Sequence, residues 1–97
     1  MRNMSNLNAE SLVKFVKALK GEVLNTRARG NAFTVEVDGT ALLITPESGI
    51  ERRIGESELE RICAKYNRTK SLKPGDYTHD TQNSSYLLAI VGLFVGE

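Results

Sequence analysis

The one histidine of this chain, His79, stands in the run Asp76-Tyr77-Thr78-His79-Asp80. A histidine oriented by a carboxylate is the base that acyl and phosphoryl transfer use. The same five residues are ordinary turn composition, and no partner motif accompanies them, so a solvated loop histidine is the plainer reading. A second constellation is Glu36 with Arg29 and His79. Ribonucleases that work without metal pair an acid or base with an arginine on the transferring phosphate. Glu36 falls on the polar face of one expected strand, with Arg27 and Arg29 on its neighbour. Cross-strand ion pairing explains that pattern as well as catalysis does.

Other nucleophiles lack a setting. Cys63 lies on the apolar stripe of an expected helix and reads as a small buried hydrophobe. Ser84 and Ser85 have no Gly-x-Ser-x-Gly context. One His and one Cys cannot furnish a zinc set, and no disulfide can close within a chain holding one cysteine. We therefore expect no catalytic residue, metal or cofactor. "VDGTA" is assigned to a hairpin turn, not to a phosphate loop, because no helix follows its glycine.

Two basic stretches point instead to binding. "NTRARGN" carries Arg27 and Arg29 beside Gly30, where a backbone can approach a ligand closely. "KYNRTKSLK" carries Lys65, Arg68, Lys70 and Lys73 with no acid among them, next to Tyr66. Such cations supply the salt-dependent contact to phosphates, and Tyr66 or Tyr77 can stack on an unpaired base. Against this, helix ends attract cations anyway. A chain with a net charge of +1 and an isoelectric point near 7.9 also lacks the overall footprint of a nucleic-acid binder.

The elements that position these residues read as follows. "LNAESLVKFVKALKG" is a helix whose stripe is Leu12, Phe15, Val16 and Leu19, capped by Asn8, stapled by Leu7 and stopped at Gly21. A meander follows: "EVLNTRA", a turn at Gly30-Asn31, then "AFTVEV" with Phe33, Val35 and Val37 on one face. Asp38-Gly39 suits a type I′ turn, and "TALLIT" returns to Pro46. "IERRI" then sets Ile50, Arg52 and Ile54 against Glu51 and Arg53, a short fourth strand. "SELERICAKY" is a second helix with a capping box from Ser57 to Glu60 and the stripe Leu59, Ile62, Cys63 and Tyr66, ending at Asn67. Residues 67–82 have no apolar period. "NSSYLLAIVGLFV" is a third helix, capped by Asn83 and apolar on nearly every side.

The predicted fold is α+β: a small antiparallel sheet of three to four strands with three helices packed on one face, in the order α-β-β-β-(β)-α-α. At 97 residues the chain suits a single domain spanning 1–97. Its longest apolar run, "YLLAIVGLFV", is half of the roughly 20 residues a membrane span needs. The opening residues show no export signal, so a cytoplasmic protein without membrane contact is expected. The favoured function is a non-enzymatic binding module, with nucleic acid as the partner of Arg27, Arg29, Lys65, Tyr66, Arg68, Lys70, Lys73 and Tyr77. The alternatives are a protein-binding or regulatory module of the mobile-element or defence kind, homodimeric through the apolar C-terminal helix, and the metal-independent ribonuclease.

Overall fold

The computed structural model describes residues 7–96. Most of the stretch read for an export signal, residues 1–6, therefore lies outside the described residues. The order is α1 (Ala9–Leu19), β1 (Leu24–Asn25), β2 (Ala32–Asp38), β3 (Ala41–Pro46), β4 (Arg52–Ile54), α2 (Glu56–Thr69), a one-turn 3₁₀ helix (Pro74–Tyr77) and α3 (Ser84–Val95). The strands form one antiparallel meander in chain order, β1-β2-β3-β4, as the alternating runs predict.

Register decides which face is buried. Val35 lies opposite Ile44, Val37 opposite Leu42, and Leu42 opposite Ile54, so these side chains share the helix-covered face. Phe33, Val35, Leu42, Ile44 and Ile54 are all at most 2 % exposed. The opposite face carries Glu36 across from Leu43, and Leu43 across from Arg53. An exposed ion pair of 3.6 Å joins Arg53 to Asp38 there.

The α2 stripe of Leu59, Ile62, Cys63 and Tyr66 buries as read, whereas in α1 Leu12 and Val16 are buried and Phe15 and Leu19 only half-buried. Asn8 caps α1, its side chain accepting from the Ser11 N–H while the Ser11 hydroxyl accepts from the Asn8 N–H. Most of the apolar girdle of α3 is met within the one chain, with Leu93 left 47 % exposed. Leu87, Leu88, Ala89, Ile90 and Val91 are each no more than 4 % exposed. The sheet lies to one side of α3, and α1 and the 3₁₀ turn pack on others.

Several local expectations are corrected. The first strand stops at Asn25, because Thr26 captures the chain: its N–H donates to the Asn31 carbonyl and its Oγ1 accepts from the Asn31 N–H. The hairpin pair is Asp38 with Ala41, leaving Gly39-Thr40 as the loop. Only Gly39 there has positive φ, 67°, which is the type II′ requirement, not I′. Ile50 is 70 % exposed, since a turn at Gly49 delays β4 until Arg52. Helix α2 begins two residues earlier than the expected box at Ser57, with Gly55 as N-cap, and runs past Asn67 to Thr69. The Asn67 amide instead donates to the Leu7 carbonyl at 2.9 Å, tying the start of α1 to α2.

The unpatterned stretch is an anchored loop. Tyr77 is fully buried at its centre and its hydroxyl donates to the Ser71 carbonyl at 2.7 Å. Thr81, also buried, donates to the Glu58 carboxylate. One large aromatic and a few side-chain bonds hold fourteen-odd residues that have no ladder of their own.

Candidate functional site

Three arginines from separate parts of the chain line one cavity of about 320 Å³. Arg27 and Arg29 come from the turn that Thr26 closes, where the Gly30 N–H also donates to the Thr26 carbonyl at 2.9 Å. Gly30 adopts φ 69°, a conformation that costs a side chain strain. The turn therefore gives its two arginines a fixed base.

Arg52 arrives differently. It is opposite Ile44 on the core-facing side of the edge strand β4, so its side chain must run beneath the sheet edge before it meets water. Its Nη1 donates to Asn83 Oδ1 at 3.3 Å, and its guanidinium stands over the Tyr86 ring at 5.5 Å. Tyr86 in turn packs edge-on against Phe33 with centroids 5.1 Å apart. The Arg52 Nε is sealed from solvent and has no hydrogen-bond partner.

The rest of the wall includes Pro74, Gln82 and Ser85, and among the described residues no carboxylate or imidazole lines it. Ser85 and Tyr86 belong to the first turn of α3, whose cap residue Asn83 makes no side-chain bond to the helix backbone. That end of the helix adds its partial positive charge to the three guanidiniums. Arg27 also lies along α3. A Cβ placed on Gly92 would come within 2.6 Å of the Arg27 Nη1, so glycine at 92 leaves room for the guanidinium.

The other predicted site residues do different work. Lys65 is neutralised by Asp80 at 2.9 Å, donates to the Asp76 carbonyl, and stands 5.1 Å from the Tyr77 ring centre. Lys70 takes the left-handed C-cap of α2 with its ammonium over the Tyr66 ring at 5.3 Å. Tyr66 is 8 % exposed and Tyr77 is fully buried. The stacking role expected of these two tyrosines is therefore corrected: both rings belong to the core. Arg68 is exposed in the last turn of α2, and Lys73 is exposed immediately before Pro74 of the cavity wall.

Glu36, Arg29 and His79 share no cavity, hydrogen bond or ion pair among the described residues. Glu36 lies in a groove with Lys17 and Lys20, and Arg29 in the arginine cavity. His79 is exposed, and the carboxylate of its neighbour Asp80 is taken by Lys65. Arg27 and Arg29 are not on a strand beside Glu36, because β1 ends before them. Burial, with the Glu60 carboxylate adding to it, pushes the Cys63 thiol up to about 12, where it is a packing group and not a nucleophile. No group of three or more His, Cys, Asp or Glu side chains among the described residues can hold a metal ion. No described helix is long and apolar enough to cross a membrane.

Sequence reasoning missed Arg52 and Tyr86. The signal for Arg52 was present: a charged residue alternating with isoleucines on the apolar side of a strand. Tyr86 was hidden in the apolar run of α3. No protein-family model matches this chain, and comparison with curated proteins and with solved structures finds no match.

Proposed function

We propose that the chain is a non-enzymatic binding module that holds a nucleic-acid phosphate in the cavity of Arg27, Arg29 and Arg52. The observation that carries this reading is that three arginines line one concavity whose wall, among the described residues, contains no carboxylate. Guanidinium forks match phosphate oxygens in geometry and retain their charge at any physiological pH. With neither carboxylate nor imidazole in the wall, the cavity offers a hold on the phosphate but no usual general base to cleave it. Arg68 and Lys73 lie outside the cavity and extend the contact as peripheral cations.

The competing idea of a protein-binding dimer draws on the apolar third helix, whose residues Leu87 to Val91 are buried within the chain while Leu93 is 47 % exposed. The test is the binding of fluorescent single-stranded and duplex oligonucleotides, followed by anisotropy over a series of salt concentrations. Affinity should fall as salt rises, and Arg29→Gln should weaken binding and lower the salt slope by about one. Lys17→Glu, on another face, should change it far less. Equal loss from both variants, or binding indifferent to Arg29→Gln, would overturn the assignment.

A further inference from the structure

We infer that the arginine cavity receives a terminal phosphate monoester at the end of a nucleic-acid strand, not an internal phosphodiester; this rests on the reading above. The first argument is the distribution of charge. The net charge is only +1, and Lys14, Arg53 and Lys65 are each paired with a carboxylate. Those pairings break up the cationic surface. The cavity, by contrast, is lined by three arginines.

The second argument is the match between that spot and its ligand. An internal diester brings one negative charge. A monoester carries about −1.5 to −2 at neutral pH, with three acceptor oxygens. Three arginines in one cavity wall, with the start of α3 beside them, suit the second group. The third argument is the state of Arg52. Asn83 and Tyr86 fix its guanidinium where Arg52 lines the cavity. A cation already held in place by its own chain binds an anion with little further ordering cost.

The experiment compares one labelled oligonucleotide in three forms, with 5′-phosphate, with 3′-phosphate and with hydroxyl at both ends. One phosphorylated form should bind about tenfold more tightly than the hydroxyl form at pH 7.5. The preference should shrink toward pH 5, because the second proton of a monoester binds with a pKa of about 6. Arg29→Gln, an exposed position, should erase the preference, and Arg52→Met should do the same. Equal affinity for all three forms, each weakened by Arg29→Gln, would overturn end recognition and leave the internal-phosphate reading standing. No binding of any form would overturn both. Inorganic phosphate and a nucleoside monophosphate serve as competitors: if either binds through Arg29 while the oligonucleotides show no end preference, the ligand is a small soluble phosphate and the strand-end assignment falls.

Discussion

Arg52 and Cys63 are two half-hidden or hidden polar groups in one small core, and they respond to opposite tests. Arg52 keeps its stem against the sheet and an unmet Nε, so its charge contributes little to stability. Arg52→Met should leave the urea unfolding free energy within about 1 kcal/mol of the parent, while abolishing the phosphate-dependent part of binding. A large loss of stability would make Arg52 a structural residue instead. Cys63 is 1 % exposed and its thiol holds its proton up to about 12 against an ordinary 9.0. The folded chain therefore binds more protons than the unfolded chain between these values, and stability falls as pH rises through that window. Burial raises the Tyr77 hydroxyl as well and acts in the same sense. The loss attributable to Cys63 should approach about 1.4 kcal/mol per pH unit. Urea midpoints at pH 8 and pH 10.5 check it, and Cys63→Ala should show the shallower decline.

At the scale of elements, α3 serves two surfaces at once. Its apolar faces fill the core, and its glycine admits a side chain from a distant turn. Gly92→Ala should raise helix propensity by about 1 kcal/mol. The new methyl would also press against the Arg27 guanidinium, which can swing aside. The expected outcome is a thermal midpoint at or above that of the parent, with weakened phosphate binding. Unchanged affinity would show that Arg27 is not held where the ligand needs it. The loop before α3 is pinned by Tyr77 at one point and by Lys65, Arg61 and Thr81 around it. It thereby brings Pro74 and Gln82 to the cavity wall.

For the whole molecule, the governing fact is that Leu87 to Val91 of α3 are covered by their own chain, while Leu93 is 47 % exposed. Leu88, fully buried, should cost about 3 to 5 kcal/mol when changed to Ala, with no change in sedimenting mass. The thermal midpoint of the parent should likewise stay constant over a hundredfold range of concentration. A midpoint rising with concentration would mean that a second copy contributes to the core after all.

Much of the fold was legible in the residues. Period-3.6 stripes such as Leu59, Ile62, Cys63 and Tyr66, and the alternation of Phe33, Val35 and Val37, are dictated by which positions must leave water together. That demand acts locally, so element order and fold class follow from the sequence alone. Arg27 and Arg29 were legible as candidates for the same reason: charge beside a glycine turn is a local property. What escaped was every fact that depends on which elements meet. Tyr66 and Tyr77 looked like stacking residues, yet an aromatic ring in an unpatterned loop can face either way until packing decides. Lys65 looked like part of a cationic patch until the loop brought Asp80 to it. Arg52, 31 positions from Asn83 and opposite Ile44 in register, became part of the cavity only when β4 was laid against β3 beside the start of α3. Hydrophobic pattern determines what is buried, whereas convergence of charges is set by strand register and helix placement, which no short stretch of chain contains.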